Sequence, residues 1–297
     1  MNTAIAFLGA LRPKQWTKNL LLFAGIVFSQ HFLEPELLLR ATAGFFAFSL
    51  VAGCVYVVND VRDIEADRLH PKKRRRSIAS GRISRGTALG LALPVFGVAV
   101  VISLWLGSAF SLVLAAYVVM QVAYSLFLKN QVLIDVFVIA IGFVLRALAG
   151  VELLRPVVPD VQISAWLLVC TFFGALFIAS GKRRRELQNA GDQASNRRTV
   201  LGSYTPELLD GLLVVTAASS IMSYALYTIW PATVAKFGTE ALLYTVPFVT
   251  YGIFRYLHLI QVSETSEDPS LVLLVDRPLA SCVVLYAVAV ALILYRP

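Results

Sequence analysis

The sequence predicts an all-α polytopic membrane protein with nine transmembrane helices and a cytoplasmic N-terminus, and three observations lead to this fold class. The first is composition: of 297 residues, 58% are hydrophobic and 15% are charged, whereas soluble domains contain about 25% charged residues. The second is a series of nine apolar segments. The third is the concentration of Lys and Arg in alternate connections. Because no polar stretch is long enough for a separate soluble domain, residues 1–297 are expected to form one membrane domain.

Each predicted span is a run of about 20 mostly apolar residues, the length that crosses the hydrocarbon core of a bilayer as a helix. Turn residues separate several of the runs, as at Gly107-Ser108, Arg155-Pro156 and Trp230-Pro231. The nine predicted spans are residues 19–36, 41–58, 87–106, 109–128, 132–153, 163–181, 209–230, 239–258 and 279–295.

The orientation follows from the distribution of the 26 Lys and Arg residues. With the N-terminus inside, the great majority of them lie in the N-terminal segment and in the connections on that same side. The positive-inside rule assigns this side to the cytoplasm. The long polar connections lie there too, so function is expected at the cytoplasmic face of a plasma (inner) membrane protein. A transporter predicts functional polar groups on both faces, and the short outer connections argue against one.

The strongest chemical signal is the acidic end of the second predicted span. If the helix continues past residue 58, Asn59, Asp63 and Asp67 lie at i, i+4 and i+8 on one face, and Asp60 borders that face. Carboxylates that converge at a membrane-embedded helix end repel one another, and a divalent cation would relieve that repulsion. An all-oxygen ligand set favours Mg²⁺, which takes further ligands from substrate phosphates and water. The alternative is a solvated acidic end that the following basic residues neutralise.

A basic run follows the acidic residues. It includes Lys73, Arg74 and Arg76 and ends in Ile78-Ala79-Ser80-Gly81. Such a run is often only a topology or lipid-surface signal. Beside the acidic face, it would also supply cations for the phosphate oxygens that a metal leaves uncovered. Nucleic acid is not an expected partner, because the run is short and held at the bilayer.

These motifs resemble those of a known family. The pattern Asn59-Asp60-x-x-Asp63-x-x-x-Asp67, followed by Arg74, Arg76 and Ile78-Ala79-Ser80-Gly81, is similar to the first Asp-rich motif of the UbiA-type polyprenyl transferase superfamily. Within that superfamily the sequence is most similar to the decaprenyl-phosphate phosphoribosyltransferase branch. The similarity covers residues from about 10 to about 280. The narrower resemblance is carried by Arg12-Pro13-Lys14-Gln15-Trp16-Thr17-Lys18-Asn19, His70-Pro71-x-Lys73-Arg74-x-Arg76, Tyr124-x-x-x-Leu128-Lys129, Arg146-Ala147-x-Ala149-Gly150 and Gly181-Lys182-Arg183.

The resemblance implies a UbiA-like helical bundle, a Mg²⁺ cofactor and transfer of a 5-phosphoribosyl group from phosphoribosyl diphosphate to a decaprenyl-type polyprenyl phosphate. In that branch the product feeds arabinose donors for the cell envelope. The resemblance also implies roles for individual residues. The catalytic and metal-binding residues it implies are Asn59, Asp60, Asp63 and Asp67. The substrate-binding residues it implies are Lys14, Lys18, Tyr56, Lys73, Arg74, Arg76, Lys129, Asp135, Arg146, Lys182, Arg183 and Glu186.

Other interpretations of these residues stay open at this level. Lys14 and Lys18 would equally serve as snorkelling anchors, Arg146 as a structural partner inside the bundle, and Lys182 with Glu186 as a surface i, i+4 ion pair. The polar segment from Glu264 to Arg277 is either a solvated loop or a cover over the ribose site. The sequence leaves open whether copies of the chain associate as homo-oligomers.

The nearest alternative function is an aromatic prenyltransferase of the same superfamily, in which the polyprenyl chain is the donor. Those enzymes usually carry a second Asp-rich motif with two or more acids. The matching stretch of this sequence offers only Asp135. This difference favours the phosphoribosyl branch.

Overall fold

A computed structural model gives the fold and describes residues 3–69, 73–190, 199–262, 272 and 275–295. The described residues are helical or irregular, with no strand among them. The predicted all-α class is therefore confirmed. Twelve α-helices are used below, numbered in chain order. They are α1 Thr3–Ala10, α2 Phe23–Phe28, α3 Pro35–Arg62, α4 Ile64–Leu69, α5 Arg85–Leu106, α6 Ser108–Leu126, α7 Ile134–Glu152, α8 Ala165–Ala190, α9 Pro206–Ile229, α10 Pro231–Phe237, α11 Val246–Val262 and α12 Arg277–Leu294.

Short 3₁₀-helices lie between these elements, at Pro13–Leu22, Lys73–Arg75, Leu128–Asn130, Thr199–Ser203 and Ala241–Thr245.

Seven helices in the described part of the chain are long and apolar enough to cross a membrane, namely α3, α5, α6, α7, α8, α9 and α12. They coincide with seven of the nine predicted spans. The segment 19–36 differs: a 3₁₀-helix leads into the six-residue α2, and Gln30 has a positive φ of 65° that stops the helix before α3 begins. In the segment 239–258, a 3₁₀-helix precedes α11, which has 17 residues. The count of nine spans stays a prediction, as does the cytoplasmic N-terminus.

Local sequence explains where the long helices begin and end. Helix α5 begins after Ser84, whose hydroxyl accepts a hydrogen bond from the Thr87 N–H at 3.1 Å, and it ends at Leu106, just before Gly107, whose φ is +124°. Helix α9 begins with Thr205 as its N-cap and Pro206 in its first turn. The turns predicted at Gly107-Ser108 and Trp230-Pro231 are confirmed by these boundaries.

The chain divides into two compact units. The first unit contains Met1–Leu126 and Leu145–Gln162, and the second contains Phe127–Val144 and Ile163–Pro297. Helix α7 contributes its first half to the second unit and its remainder to the first. The single membrane domain expected from the sequence stays a prediction.

Helix α3 forms the centre of the first unit. It packs against α5, α6, α2, α1 and the 3₁₀-helix Pro13–Leu22. Its fully buried positions include Leu37, Ala41, Phe48 and Val51. Their spacings of four, seven and three residues place them on one face of the helix. Because α3 is enclosed by its neighbours, its last turn can hold polar groups away from lipid.

In the second unit, α8, α9, α11 and α12 pack together as a bundle. Phe177 on α8 contacts Tyr256 on α11 with ring centroids 5.4 Å apart. Gly181 allows this close packing, since a Cβ there would lie 2.5 Å from the Ile260 side chain of α11. The bundle thus sets the position of the polar residues in the last turns of α8.

Candidate active site

The acidic cluster, defined as Asn59, Asp60, Asp63 and Asp67, lies where α3 gives way to α4. Helix α3 ends at Arg62, and Asp63 interrupts it with φ −92° and ψ 15°. The helical hydrogen bonds nevertheless continue, since the Asp63 N–H donates to the Asn59 carbonyl and the Asp67 N–H donates to the Asp63 carbonyl, both at 2.9 Å. The backbone therefore keeps its helical path from residue 59 to residue 67 across a local break, but the side chains at 59, 63 and 67 do not converge as expected.

Two of the four residues converge on one cation. Arg76 Nη1 lies 2.6 Å from Asp67 Oδ2 and 3.1 Å from Asp60 Oδ1. Both carboxylate side chains are only 3% exposed. Arg12 also donates to Asp60 Oδ1. The alternative predicted a solvated acidic helix end, and the burial of Asp60 and Asp67 does not fit it. Its other part, neutralisation of the acids by a following basic residue, is observed at Arg76.

The other two members of the cluster occupy different surroundings. Asn59 Oδ1 accepts a hydrogen bond from the Ser125 hydroxyl at the end of α6, and Arg62 donates to the Ser125 carbonyl at 3.1 Å. Asp63 is partly exposed. Ser125 was not singled out by the sequence, because a serine at a helix end carries no distinctive pattern.

Arg12 is a further residue at the cluster that sequence reasoning missed as a site residue, although it stands in the N-terminal block that carries the family resemblance. It adopts a left-handed backbone conformation, with φ 53° and ψ 63°, which costs a non-glycine residue about 1–2 kcal/mol. Its guanidinium lies over the Tyr56 ring, 4.6 Å from the centroid. The ring contact and the Asp60 ion pair together hold Arg12 in place.

The basic loop, residues 73–84, is anchored to the core of the first unit. Ser77, Ile78 and Ala79 are buried, and Ile78 packs in a cluster with residues of α1, α3 and α5. Gly81 closes a turn with φ 76°. Lys73 and Arg76 are half-buried, whereas Arg74 is exposed. The cationic side chains of the loop are therefore attached to a backbone that is anchored in the core. His70 and Pro71 lie outside the described residues.

The remaining predicted residues of the first unit separate into two groups. Lys14 is exposed and Lys18 half-buried on the 3₁₀-helix Pro13–Leu22. Arg146 is buried, and it donates to Asn19 Oδ1 at 2.7 Å and to the Tyr117 hydroxyl at 2.8 Å. Its guanidinium also stacks 4.7 Å from the centre of the Tyr117 ring. These contacts fit the structural interpretation of Arg146.

A second polar cluster lies within the second unit, around Asp135 at the start of α7. Arg183 Nε lies 2.6 Å from Asp135 Oδ2, and the same guanidinium bonds Glu186 one turn further along α8. The Asp135 and Arg183 side chains are 0% and 1% exposed. Lys182 lies 3.8 Å from Glu186, as the i, i+4 spacing predicts. Lys129 is half-buried on the 3₁₀-helix Leu128–Asn130.

Tyr204 completes this second cluster and was not anticipated. Its hydroxyl donates to Asp135 Oδ1 at 2.6 Å and accepts from the Leu133 N–H at 2.8 Å. Burial, together with the hydrogen bond to the Asp135 carboxylate, raises the pKa of Tyr204 above its ordinary value. Tyr204 therefore stays protonated at neutral pH and keeps donating to Asp135.

The polar loop from Glu264 lies mostly outside the described residues, so only its end can be placed. Asp276 is the N-cap of α12 and forms a two-point ion pair with Arg255, at 3.1 and 2.8 Å. The hydrogen bond from Arg255, with smaller contributions from the Leu279 N–H and from the Arg255 charge, lowers the pKa of Asp276.

The acidic cluster offers two buried carboxylates as possible ligands of a magnesium ion. No group of three or more His, Cys, Asp and Glu side chains converges as metal ligands within the described ranges. Asp60 and Asp67, however, direct oxygens at a single Arg76 nitrogen, so their oxygens already approach a shared cationic position. Mg²⁺ is commonly bound through one or two carboxylates plus substrate phosphates and water. The donor set present therefore fits such an ion.

Comparisons with known sequences identify related proteins. A sequence profile described as the UbiA prenyltransferase family matches residues 20–276. The chain is 36% identical to the decaprenyl-phosphate phosphoribosyltransferase of Mycolicibacterium smegmatis over 230 residues, which cover 76% of this chain and 71% of that protein. It is 35% identical to the protein of the same name from Corynebacterium glutamicum over 263 residues, or 86% and 76% of the two chains.

A comparison of folds points the same way. The structure of a UbiA homolog from Archaeoglobus fulgidus bound to GPP and Mg²⁺ superimposes with a TM-score of 0.71, covering 97% of this chain and 99% of that one at 16% identity. At this identity the likeness concerns the fold.

Proposed function

Because the chain belongs to the UbiA prenyltransferase family, we propose that it transfers a 5-phosphoribosyl group from phosphoribosyl diphosphate to a polyprenyl phosphate and releases diphosphate. The observation that carries the proposal is the similarity, over most of the chain, to relatives named decaprenyl-phosphate phosphoribosyltransferase. The buried carboxylates at the end of α3, flanked by arginines, support it because a diphosphate leaving group needs concentrated positive charge.

The acidic cluster and the basic loop would bind the donor. Asp60 and Asp67, assisted by Asn59 and Asp63, would hold Mg²⁺, which when bound offsets the charge that develops on the departing diphosphate. Arg76 already lies against both carboxylates, so it is placed to turn toward a phosphate oxygen. Lys73 and Arg74 follow from the same anchored loop and would bind the donor's outer phosphates.

The acceptor chemistry explains why no general base is assigned. A lipid phosphate is already ionised at pH 7, so its oxygen can attack ribose C1 on the face opposite the leaving diphosphate, with inversion. The bond from C1 to the diphosphate oxygen breaks as the bond from C1 to the lipid phosphate oxygen forms. Asp135 is bonded to Arg183 and Tyr204 and would serve to position Arg183, with Lys182 and Glu186 beside it. Lys129 would be a further contact to the substrate phosphate.

The remaining parts of the proposal concern location. We place the protein in the plasma membrane as a multi-pass enzyme that draws its donor from the cytoplasm, with its product used for arabinose donors of the cell envelope. The excess of Lys and Arg in the connections on one side supports this orientation.

Two labelled donors test the proposal. Membranes containing the chain are expected to move label from ribose-labelled phosphoribosyl diphosphate into a polyprenyl lipid, and chelation of divalent cations is expected to stop the transfer. Label that moves instead from a polyprenyl diphosphate to a quinone precursor would assign the chain to the aromatic prenyltransferases. Label that crosses the bilayer unchanged would indicate a transporter.

A pair of variants tests the role of the acidic cluster. Asp67→Asn removes one charge from the pair at Arg76 and should lower the transfer rate by about 100-fold or more, the usual effect of losing one group that stabilises transition-state charge. Glu65→Gln, on the same short helix but exposed and paired with Arg85, is the matched control and should transfer at the wild-type rate. A folded Asp67→Asn protein with undiminished transfer would contradict the assignment.

A further inference from the structure

The bundle of the second unit forms a partly open cavity of about 310 Å³ between α8, α9, α11 and α12. Its wall is almost entirely apolar and includes Phe177, Ile178, Phe248 and Ile253. None of the residues that the proposed reaction uses lines it. Small-molecule sites in proteins are typically cavities of about 300–1,000 Å³ with mostly hydrophobic walls, and this cavity lies at the lower end of that range.

Three of the polar groups on the wall are engaged with the protein itself. The Tyr224 hydroxyl shares a hydrogen bond of 2.6 Å with Thr245, the Ser220 hydroxyl donates to the Thr216 carbonyl at 2.7 Å, and Cys282 Sγ lies 3.2 Å from the Phe248 carbonyl. A polar occupant would find these groups already bonded. The wall therefore selects an apolar occupant.

The wall also contains an open position. A Cβ built on Gly174 of α8 would meet no atom within 4 Å. An empty volume of this size leaves the surrounding side chains without dispersion partners on one side. An occupant that fills it would restore those contacts, so the cavity favours binding.

The same face of α8 changes from apolar to cationic residues beyond the cavity. The cavity-lining positions 170, 174, 177 and 178 continue, at helical spacing, to Lys182 and Arg185. Four residues of helix advance by about 6 Å, so Lys182 lies about one turn beyond the apolar wall at Ile178 and Arg185 about two turns beyond it. This order of chemistry matches a molecule with an apolar chain and an anionic head.

We propose that this cavity binds the head-proximal part of the chain of the polyprenyl phosphate acceptor, with the lipid phosphate at the Lys182 end of α8. The inference rests on the proposed function, because it takes the acceptor from it. A polyprenyl phosphate has a single chain, so the cavity has to hold only the part of that chain next to the head. A diacyl phospholipid would have to leave its second chain outside.

The test uses the full-length protein in detergent and a series of substitutions at Gly174. Gly174→Ala, Gly174→Leu and Gly174→Phe place increasing volume in the cavity. Binding of a radiolabelled long-chain polyprenyl phosphate should weaken progressively along the series, by about tenfold for phenylalanine, and binding of phosphoribosyl diphosphate should not change. Gly211→Phe is the matched control, since Gly211 on α9 is exposed, has equally open space and lies outside the wall. It should bind both substrates normally.

Unchanged polyprenyl phosphate binding in Gly174→Phe would overturn the proposal while leaving the proposed function intact, because label transfer is measured separately. A second measurement needs no variant: a polyprenyl phosphate with a photoreactive group in its first isoprene units should attach to α8, α11 or α12 of the wild-type chain. Attachment only elsewhere would overturn the proposal. So would a co-purified phospholipid that occupies the cavity and that polyprenyl phosphate does not displace.

Discussion

At the scale of single residues, the most informative feature is the charge balance around Asp60. Asp60 and Asp67 carry two negative charges, and Arg12 and Arg76 lie against them with two positive charges. The carboxylates are buried, so each is stabilised chiefly by these ion pairs. A bare divalent cation would enter a site that is already neutral. A cation that arrives with a diphosphate would instead let the arginines turn toward the added anion.

Metal binding should therefore depend on the anion. Using Mn²⁺ as a probe of the Mg²⁺ site, we expect weak binding alone and binding at least about tenfold tighter with inorganic diphosphate, a coupling of roughly 1.4 kcal/mol. Arg12→Gln should strengthen binding of Mn²⁺ alone, because one competing cation is removed. Arg85→Gln, which alters an exposed pair with Glu65, is the control. Electron paramagnetic resonance titration measures both, and equal wild-type affinities with and without diphosphate would refute the argument.

Tyr204 allows a test of the second cluster by stability. Tyr204→Phe removes the bond to Asp135 and the acceptor of the Leu133 N–H. Loss of these buried bonds should lower the free energy of unfolding by about 1–3 kcal/mol. Tyr244→Phe, at a side chain that is 78% exposed, should have no effect. Thermal melting in detergent compares the two, and equal melting temperatures would mean that Tyr204 does not support the cluster.

Sequence reasoning identified many of these residues but could not pair them. Asp135 and Arg183 were both named, and the structure joins them across 48 positions. Tyr204 was missed because a tyrosine on a polar connection has no pattern that links it to an acid 69 positions earlier. Arg12 was quoted within a motif but assigned no role, because its contact with Asp60 depends on how the N-terminal segment folds back.

At the scale of secondary structure, apolar run length predicted the long helices well and the short ones poorly. Seven runs became helices of 18 residues or more. The run at 19–36 is not one continuous α-helix, because hydropathy does not register a 3₁₀ start or the left-handed Gln30. The break at Asp63 was also missed, since the acids keep helical spacing through it.

Helix α7 contacts α2 and the end of the 3₁₀-helix Pro13–Leu22 through two glycines, and small residues are typical of such close helix packing in membranes. A Cβ on Gly150 would lie 2.1 Å from the Leu22 carbonyl oxygen, and one on Gly25 would lie 2.1 Å from the Gly150 carbonyl oxygen. Both partners are backbone atoms, so the contact cannot yield by a rotamer change.

Gly150→Ala should therefore destabilise the protein by several kcal/mol, within the upper range for single substitutions. Gly97→Ala in α5, where a Cβ meets nothing within 4 Å, is the matched control and should be neutral or stabilising by up to about 1 kcal/mol. Melting temperatures in one detergent decide the matter. A Gly150→Ala protein that melts with the wild type would show that the helices separate at little cost.

At the scale of the whole molecule, composition alone indicated that the protein lies in a lipid bilayer. Lipid must cover the apolar surface, and exposed large apolar side chains such as Leu93, Leu112 and Val214 are numerous on the spanning helices. The division into two units was not predicted, because an apolar pattern shows which segments span a bilayer but not which helices pack together.

The predicted orientation can be tested through the donor, which does not cross membranes unaided. Inverted vesicles should consume external phosphoribosyl diphosphate, because the Lys- and Arg-rich connections would face outward. Right-side-out vesicles should do so only after permeabilisation. Activity of intact right-side-out vesicles equal to that of inverted ones would contradict the cytoplasmic assignment.

The buried residues of the basic loop determine which positions of the loop can change in sequence. Ile78 and Ala79 are buried and attach the loop to the core, while Lys73, Arg74 and Arg75 remain outside the core. Substitutions at the charged positions are therefore expected to change the charge that the loop presents without loosening its attachment to the core. An epitope inserted beside Ile78, by contrast, would separate the loop from the helices against which Ile78 packs.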